Sequence, residues 1–461
     1  MKQFNIILHA HIPYVLDTEV EYWLHEVVLH SYLPFLNILE SYRSNNICIS
    51  INLSPILLVQ LSSTSFKDNF IKYLEVRKKI LSVNLKNNNE NSIVKKDLQK
   101  ILELEILYKN WDFDIIKIFQ YYSKIGILNI LTSSVTHAFL PSLRSFPHIL
   151  DLQIKLGKQI SELFFTNIDG FWSPECAIFP ELSNHLSRYG LKYTFADPSS
   201  SINHSRYTHN NINYSCRNDT CTSKIWDAFI GYPGNSVYRE FHKDLKDDSR
   251  EINQLLQENN IPLSGVSLYA ITDKNKSIKN LYNEEKAQDQ IYVDVEDYIK
   301  SLHDNYQNND KISVFFDMEL FGHWWKEGIY FLDILIQKLQ DNNILIKDDF
   351  LDVLYPIQEP LLSTWGTNYN AESWINTKTN KIWSKLIPSL YELEMLLKHE
   401  QVISQDKIYH ILLAQASDWT FLVSKGVFKE YAENIVLELL KKSNNGDLIK
   451  KDISNILYKI I

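Results

Sequence analysis

The stretch VFFDMELFGHWW, residues 314–325, decides the fold that we predict for this chain. It begins as an apolar run of the kind that forms a buried strand, and it ends in two carboxylates, Asp317 and Glu319, followed by His323 and two tryptophans. In α/β barrels the active site is built at the carboxyl ends of the strands. A strand that ends in such residues therefore predicts a functional pocket at that end.

Five further apolar runs end in the same way. Their polar tips are His9 with His11, His137, Glu175, Asp197, and Tyr269 with Asp273. Segments with helical spacing, such as 23–42, 97–119 and 149–165, separate the runs. Alternating strands and helices predict a parallel α/β barrel or sheet whose strand ends line one pocket from six directions.

Two parts of the chain depart from this alternation. Residues from about 63 to 119 lack strand signals and include a charged, Asn-rich stretch, which predicts a helical insertion with one solvated loop. From about residue 371 the sequence changes to long amphipathic segments. We therefore predict a catalytic domain over residues 1–370 and an all-helical domain over residues 371–461 that packs on it.

Composition excludes several classes of function. The 461 residues are 45% hydrophobic and 22% charged, with a formal net charge of -9, which is typical of a globular protein and offers no basic field for nucleic acid. The sequence has no apolar span long enough for a membrane helix and no glycine-rich nucleotide loop, so we expect no membrane partner and no cofactor. The four cysteines form no CxxC pair and no signal peptide is recognisable, which predicts a reducing location, the cytoplasm or an organelle stroma.

Glu175 and Asp317, on separate predicted strands, provide the two carboxylates that a retaining glycosidase needs. One attacks the anomeric carbon and the other protonates the leaving oxygen, and the mechanism sets the pair about 5 to 5.5 Å apart. The acid needs a raised pKa, which burial beside Trp172, Trp324 and Trp325 would supply. Because the apolar faces of indoles pack on sugar rings, this mixture of residues predicts a carbohydrate substrate.

A metal site is the alternative that these residue types leave open. The ligands that zinc takes in barrel hydrolases and deacetylases are present as His9, His11, His137, Asp317 and His323. That interpretation leaves Glu175 beside Trp172 without a role, whereas neutral histidines can hydrogen-bond sugar hydroxyls. We therefore expect no metal in the site.

Five motifs occur in order along the chain. They are HAHIPYV from His9, THAFLP from Thr136, GFWSPECA from Gly170, FFDMELFGHWW from Phe315 and LLAQASDWTFL from Leu412. Together they resemble glycoside hydrolase family 57, and more closely its 1,4-alpha-glucan branching enzyme subgroup, which GYPGNSVYREF from Gly231 and STWGTNYNAESWIN from Ser363 also favour. The resemblance implies an incomplete, TIM-like (β/α)7 barrel followed by helices.

The resemblance also implies roles for residues. Glu175 would be the nucleophile and Asp317 the general acid/base of a retaining transglycosylation that cuts an α-1,4 glucan and reattaches it as an α-1,6 branch. Tyr232 would lie on an active-site loop, about residues 226–241, that shields the intermediate from water. The expected partner is an α-glucan polymer, glycogen or starch-like. The other candidate substrate-binding residues are His9, His11, Trp23, His137, Trp172, Tyr269, Glu319, His323, Trp324, Trp365, Trp374, Asp418 and Trp419.

The chain departs from the subgroup pattern in three places. Tyr269 and Ala270 stand where an aromatic residue followed by Arg is usual, CRNDTCTSKIW from Cys216 replaces the usual Arg-Asp-Pro start, and the C-terminal region is shorter than the resemblance implies. These changes leave both carboxylates intact but alter residues that grip the substrate. The alternatives are an α-glucan hydrolase or 4-α-glucanotransferase of the same family, a catalytically weak glucan-binding protein, and a metal-dependent deacetylase.

Overall fold

The computed structural model describes residues 2–16, 18–87, 91–227, 230–273, 278–306, 310–351, 355–449 and 456–457. Parts of three predicted regions lie outside the described residues: 88–90 of the insertion, 228–229 of the active-site loop, and 450–455 and 458–461 of the helical domain.

The described residues form nine strands. These are β1 (Gln3–Ala10), β2 (Ile49–Leu53), β3 (Leu128–Leu131), β4 (Gly170–Phe171), β5 (Tyr193–Ala196), β6 (Arg206–His209), β7 (Ile212–Cys216), β8 (Lys311–Asp317) and β9 (Leu345–Ile346). β2 is buried throughout, and β1 and β8 are buried except at their ends. Burial on both faces is expected of parallel strands that helices cover.

Seven of these strands run parallel and form an incomplete barrel. β3, β2, β1 and β8 are neighbours in that order, and β4, β5 and β7 follow from β3 through a parallel bridge between Thr132 and Phe171. Between β7 and β8 the Asn218 N–H donates to the Ser313 carbonyl oxygen at 2.7 Å, but the described residues form no ladder there. β6 pairs antiparallel with β7, and β9 runs parallel to the start of β1. The predicted incomplete (β/α)7 barrel is confirmed.

Helices surround the barrel and continue after it. In chain order they are α1 (Tyr22–Val27), α2 (Leu33–Leu39), α3 (Pro55–Ser62), α4 (Thr64–Asn87), α5 (Ser92–Asn110), α6 (Ile115–Lys124), α7 (Pro147–Phe164), α8 (Leu182–Arg188), α9 (Asp219–Trp226), α10 (Arg250–Glu258), α11 (Glu284–Asn305), α12 (Gly328–Asp341), α13 (Asn380–Lys398), α14 (Gln405–Leu413), α15 (Ser417–Lys425) and α16 (Lys429–Asn445). A π-helical turn, Val28–Tyr32, joins α1 to α2. α4 and α5 occupy the predicted insertion, and α13 to α16 follow the barrel. None of the described helices is both long and apolar enough to span a membrane.

One predicted strand is not formed. Residues 261–273 have an irregular backbone with isolated bridges at Tyr269 and Ala270. Gly265 has a left-handed φ of 64°, and a Cβ added there would lie 1.9 Å from the Arg77 guanidinium. The segment therefore bends around a buried arginine, which an extended strand could not do.

Apolar and aromatic side chains fill the barrel beneath the strand ends. Leu131, Trp172, Phe195 and Phe315 belong to one buried cluster. The Trp172 ring lies 6.1 Å from the Phe195 ring and 5.9 Å from the Phe315 ring. This cluster forms the floor of the pocket that the polar tips of the strands surround.

Candidate active site

Glu175 follows β4 in the short turn Pro174–Cys176. The backbone at Glu175 and at Cys176 is left-handed, with φ of 62° and 50°, which is uncommon for residues other than glycine and concentrates at functional sites. The Trp365 indole N–H donates to Glu175 Oε2 at 3.0 Å, and the Ser417 hydroxyl donates to Oε1 at 2.7 Å. Both carboxylate oxygens are therefore held by neutral donors.

The surroundings of Glu175 act on its pKa in opposite directions. Burial raises the pKa of Glu175 and is the largest influence, and the negative charge of Asp418 adds to it. The hydrogen bonds from Trp365 and Ser417 lower the pKa because they bind the charged form more strongly than the neutral one. The donors thus partly offset burial and favour the carboxylate, which is the form that can attack carbon.

Asp317 is the last residue of β8 and lies opposite His9 of β1 in the parallel register. Burial raises the pKa of Asp317 well above its usual range, and the negative charges of Glu319, Glu175 and Asp418 raise it further. The fold therefore brings Asp317 within electrostatic reach of Glu175. Among the described residues no donor contacts the Asp317 carboxyl group, and a carboxyl in these surroundings keeps its proton and suits the role of a general acid.

Three histidine rings stack in series above the barrel floor, and the first of them, His9, lies against Trp172. The His9 ring is 4.9 Å from the Trp172 ring at an angle of 16°, and it is also 4.9 Å from the His137 ring. The His11 ring stacks on His137 at 3.9 Å. Burial lowers the pKa of His9 and of His137 well below the usual value, so both rings are neutral near pH 7. A neutral imidazole has one donor and one acceptor, which match the hydroxyl groups of a sugar.

Short polar side chains at the end of β2 orient two of these histidines. His9 Nδ1 lies 2.7 Å from Asn52 Oδ1, and His11 Nδ1 lies 2.8 Å from the Ser54 hydroxyl oxygen. His11 Nε2 lies 3.0 Å from an oxygen of Asp418, at the start of α15. We call the stacked rings of His9, His137 and His11 the histidine ladder. Because protein groups hydrogen-bond its ring nitrogens, the ladder has one fixed arrangement before a ligand arrives.

Ser417, the first residue of α15, ties the last helices of the chain to the site. Its N–H donates to the His137 carbonyl oxygen at 3.0 Å, and its hydroxyl lies 2.9 Å from His137 Nδ1. The same hydroxyl donates to Glu175, as described above. The side chain is buried, and it therefore positions both a predicted nucleophile and a predicted sugar-binding histidine.

Glu319 accepts hydrogen bonds from the residue after β1 and from the π-helical turn. The Tyr32 hydroxyl donates to its Oε1, and the His11 backbone N–H donates to the same oxygen at 3.0 Å. Burial raises the pKa of Glu319 to about 7, although these donors lower it. Glu319 therefore carries a partial negative charge near Asp317 at neutral pH.

Tryptophans form the wall beside Glu175. The Trp365 ring lies 5.0 Å from the Trp172 ring, and the Trp226 ring lies nearly parallel to Trp365 at 6.2 Å and 20°. Trp226 ends α9 and is 40% exposed, so it offers an open aromatic surface next to Trp365, which donates to Glu175. Sequence reasoning did not select Trp226.

Two predicted sugar-binding tryptophans lie behind the pocket instead. Trp374 stacks on Phe139 at 4.7 Å, and Trp419 donates its indole N–H to the Leu413 carbonyl oxygen at 3.0 Å. Each is only 1% exposed. Neither ring has a face free for a sugar, so the structure assigns both to packing.

Two other candidates, Tyr232 and Trp23, are held by contacts away from the carboxylates. The Tyr232 hydroxyl donates to Asp297 of α11 at 2.7 Å, and its ring lies 5.9 Å from Phe331 of α12. The Trp23 ring lies 5.0 Å from Phe428 at the start of α16. The described contacts therefore tie Tyr232 to the outer helices and Trp23 to the C-terminal helices.

The remaining candidates stand on the edges of the site. The Lys243 ammonium lies 3.7 Å from the centre of the Tyr269 ring, in the irregular segment described above. His323 has a buried Nδ1 without a partner among the described residues, and burial with a nearby lysine lowers its pKa to about 4. Its ring faces Phe241 at 5.7 Å.

Trp324 is 45% exposed and is the one tryptophan of the opening motif that solvent reaches freely, since Trp325 is buried.

The alternative of a metal site can be compared with these contacts. His11, His137 and Asp418 each offer a ligand atom within 4.8 Å of the others. Both nitrogens of His137 already face protein partners, Ser417 and His9, and a metal would have to displace one of them. The ring nitrogens of His137 are therefore not open ligands in this structure.

Five residues of the site were not identified from the sequence: Asn52, Ser54, Tyr32, Ser417 and Trp226. Ser417 had a usable signal, because it lies inside the fifth motif next to Asp418. Trp226 had one as well, because it ends the CRNDTCTSKIW stretch and begins the predicted active-site loop.

Comparisons with known proteins agree with this architecture. A family model described as glycosyl hydrolase family 57 matches residues 5–356. A 1,4-alpha-glucan branching enzyme of Thermococcus kodakarensis is 26% identical over 503 residues, which cover 94% of this chain and 71% of that protein. A probable 1,4-alpha-glucan branching enzyme of Mycobacterium tuberculosis is 21% identical over 93% of this chain and 88% of its own length.

Solved structures share the fold across the whole chain. A GH57-type branching enzyme from Pyrococcus horikoshii superposes on this chain with a TM-score of 0.82 at 23% identity. The match covers 100% of this chain and 94% of that one. The α-amylase AmyC from Thermotoga maritima gives the same TM-score of 0.82 at 22% identity, covering 100% and 96%. Likeness at these identities shows the fold alone, and that fold occurs in proteins with different named activities.

Proposed function

The chain belongs to glycosyl hydrolase family 57, and on that premise we propose that it is a 1,4-alpha-glucan branching enzyme. The observation that carries the proposal is the pair formed by Glu175, clamped by Trp365 and Ser417, and Asp317, which lies within its electrostatic reach. The branching enzymes of two organisms that align over more than nine-tenths of the chain support the choice of activity.

In the first step Glu175 attacks the anomeric carbon of a glucose unit in an α-1,4 chain. The bond from that carbon to O4 of the next unit breaks, and Asp317 gives its proton to O4 as the shortened chain leaves. The high pKa of Asp317 suits this step because the group is protonated when the substrate arrives. The glucan remains bound covalently to Glu175 through an ester.

In the second step a 6-hydroxyl of another glucose unit attacks the same carbon. Asp317, now deprotonated, takes the hydroxyl proton, the ester bond to Glu175 breaks, and an α-1,6 branch forms. Two inversions restore the original configuration, so the reaction retains it. Glu175 and Asp317 return to their starting protonation states.

The glucose unit would lie against the histidine ladder over the barrel floor, and a sugar hydroxyl would take the place of one of the protein partners of the ring nitrogens. His9 and His137 are neutral and therefore avoid a positive charge next to the positive anomeric carbon that develops in the transition state. Trp172 closes the pocket below them. These groups are fixed by protein hydrogen bonds, so little order has to be gained when the sugar binds.

Water competes with the 6-hydroxyl for the covalent intermediate. Trp365 and Trp226 cover the side of Glu175 and can hold an acceptor glucan there while excluding water. An α-glucan hydrolase or 4-α-glucanotransferase would use the same two carboxylates, and the equal likeness to an α-amylase structure means that the fold does not separate them.

The experiment that tests the proposal is incubation with amylose, followed by isoamylase debranching and chain-length analysis, with reducing ends measured in parallel. Glu175→Gln and Asp317→Asn are the variants, and Glu438→Gln, on an exposed carboxylate of α16, is the matched control. New branches that both active-site variants lose and the control keeps would support branching.

Other outcomes of the same experiment are equally informative. Reducing ends without branches would mean a hydrolase, and redistributed linear chains without branches would mean a 4-α-glucanotransferase. Amylose binding without any product change would mean a glucan-binding protein. Activity that depends on stoichiometric zinc and disappears with a chelator would indicate a metal-dependent deacetylase. It would contradict the roles proposed for both carboxylates.

We propose that the partner is an α-glucan polymer, glycogen or starch-like, and that the protein works in a reducing compartment, the cytoplasm or an organelle stroma. All four cysteines are free thiols and three of them are buried, which accords with such a compartment. The net charge of -9 does not oppose a neutral polymer.

A further inference from the structure

The backbone turn directly after Asp317 determines where the Asp317 carboxyl group lies. Asp317 ends β8, and we call residues 318–322, which follow it, the acid turn. In the part of the chain that the structure describes, no hydrogen bond holds the Asp317 side chain itself. The contacts of the acid turn therefore fix the carboxyl group through the main chain.

The π-helical turn Val28–Tyr32 makes two hydrogen bonds to the acid turn. The Ser31 hydroxyl donates to the Met318 carbonyl oxygen at 2.7 Å, and the Tyr32 hydroxyl donates to Glu319 Oε1. Both donor side chains are fully buried. Bulk water does not compete for these bonds, so they restrain the acid turn strongly.

A third contact joins the two turns through their backbones. The His30 carbonyl oxygen packs so closely on Gly322 that a Cβ added at Gly322 would lie 1.9 Å from it. Three consecutive residues of the π-helical turn thus hold the acid turn at its start and at its end.

The sequence explains why the helix widens at this place. Pro34 has no N–H to donate to the carbonyl oxygen of His30, four residues earlier, and its ring crowds that oxygen. The Leu33 N–H donates instead to the Val28 carbonyl oxygen, five residues earlier. The widened turn directs the His30 carbonyl oxygen toward Gly322. Such π-helical turns are rare and frequently occur at functional sites.

We propose that the π-helical turn positions the general acid, with Ser31 and Tyr32 as the positioning residues. The proposal rests on the function proposed above, in which Asp317 gives a proton to O4 and later takes one from a 6-hydroxyl. Both oxygens occupy the same side of the anomeric carbon, so one fixed carboxyl position serves both transfers. Ser31 and Tyr32 are buried and act through the acid turn, not on the substrate.

Tyr32 also affects the charge beside the acid. Its hydrogen bond lowers the pKa of Glu319, although burial raises that pKa to about 7. Without the hydroxyl the pKa of Glu319 should rise, Glu319 should carry less negative charge near neutral pH, and the pKa of Asp317 should fall. The other titratable groups that face these two carboxyl groups are His11, Glu175 and Asp418.

Two substrates with different leaving groups test the proposal. Amylose needs a proton on its leaving O4, whereas fluoride leaves α-maltotriosyl fluoride with almost no help from an acid. For the fluoride, kcat/KM reports only the steps up to the departure of fluoride, so the later action of Asp317 as a base does not enter. A misplaced acid should therefore lower kcat/KM on amylose far more than on the fluoride.

Tyr32→Phe and Ser31→Ala are the diagnostic variants. Tyr42→Phe and Ser443→Ala are the matched controls, because Tyr42 is buried with its hydroxyl bonded to α12 and Ser443 is buried in α16. We expect each diagnostic variant to lower kcat/KM on amylose by about tenfold or more and on the fluoride by less than about twofold. The controls should match the parent on both substrates.

The two carboxylate variants calibrate this comparison. Asp317→Asn should lose activity on amylose and retain it on the fluoride, and Glu175→Gln should lose both. If Tyr32→Phe loses the same factor on both substrates, or loses nothing on amylose, the proposal is wrong. Melting temperatures identify folded variants, and should Tyr32→Phe fail to fold, Ser31→Ala decides by the same criterion.

The alkaline limb of kcat/KM on amylose gives a readout that general damage to the site would not move. Tyr32→Phe should shift the limb to lower pH. In a Glu319→Gln background the same change should leave the limb in place, because residue 319 then carries no charge. A limb that does not move in Tyr32→Phe, or that moves equally in both backgrounds, would contradict the role of Tyr32.

The failure of this inference can be told apart from the failure of the proposed function. A parent that forms reducing ends without branches overturns the branching activity, but it still uses both carboxylates and submits the π-helical turn to the same comparison. A parent that acts on neither substrate overturns both proposals.

Discussion

At the scale of single residues, the position of the Glu175 carboxylate depends on a hydroxyl from another part of the chain. Replacing Ser417 by alanine removes one of the two donors on that carboxylate. We expect kcat on amylose to fall by about 10- to 100-fold, with a smaller change in KM, because the lost contact acts on the reacting group.

Ser424→Ala is the matched control for this variant, since Ser424 is on the same helix but its hydroxyl accepts from Asn376. It should retain full activity. A Ser417→Ala protein that folds normally and keeps the parent kcat would show that Trp365 alone positions the nucleophile.

A second residue-scale prediction concerns the pH profile. If Asp317 is the general acid, as proposed, the alkaline limb of kcat/KM reports loss of its proton, and the nearby negative charge of Glu319 helps to keep that proton in place. Glu319→Gln removes the charge, so the pKa of Asp317 should fall and the alkaline limb should move to lower pH. The acid limb, which reports protonation of Glu175, should move less.

The measurement is kcat/KM over a range of about pH 4 to 9 for the parent, Glu319→Gln and the exposed control Glu438→Gln. An alkaline limb that stays in place or moves to higher pH would contradict the assignment of Asp317 as the acid.

The site residues that sequence reasoning found are large, chemically capable groups at strand ends. Glu175, Asp317, His9, His11 and His137 could be selected because such groups are rare after apolar runs. Serine and asparagine occur in many loops, so the partners at Ser417, Ser54 and Asn52 become apparent only when β2 and α15 meet in space. Trp365 and Trp374 belong to one stretch of sequence, and only packing shows that the first faces Glu175 and the second is buried.

At the scale of elements, the strands that end in carboxylates or histidine, or lead to them, were predictable, and the others were not. β1, β3, β4, β5 and β8 follow the predicted runs, but β2 ends near Asn52 and Ser54, whose residue types are common in loops and gave no such signal. The hairpin of β6 and β7 turns at Asn210 and Asn211, both with positive φ, and this pair of asparagines is a turn signal that sequence reasoning overlooked. Residues 261–273 have the composition of a strand but bend around Arg77.

The bend that follows Asp317 gives a prediction about stability. Gly322 has φ of 93°, and a Cβ there would lie 1.9 Å from the His30 carbonyl oxygen of the π-helical turn. Gly322→Ala should lower the free energy of unfolding by about 2 kcal/mol or more, because it adds both backbone strain and a clash. Activity should fall with it, since the same bend carries Glu319.

Gly446→Ala separates the effect of backbone strain from the effect of the clash. Gly446 also has a left-handed φ, 71°, but no atom lies within 4 Å of an added Cβ. It should cost only about 1 kcal/mol, the strain alone. Chemical denaturation of both variants makes the comparison, and equal losses would mean that the π-helical turn yields to the added methyl group.

At the scale of the whole molecule, the balance between transfer and hydrolysis should depend on the aromatic cover beside Glu175. Trp226→Ala opens that side to water, and we expect the ratio of new branches to new reducing ends to fall by about two- to tenfold. Trp226→Phe keeps an aromatic surface and should lie closer to the parent. A ratio that is the same in all three proteins would place the acceptor elsewhere.

The hydrogen bond from Ser417 to Glu175 affects when the newly synthesised protein can become active. The hydroxyl that holds the carboxylate is 242 residues further along than the carboxylate itself, so the barrel leaves the ribosome long before its clamp does. A chain that stops early carries both acids without the contact that aims one of them. Products that end before Ser417 should therefore cut α-glucan much more slowly than the complete chain, and full activity should arise only after α15 has been translated.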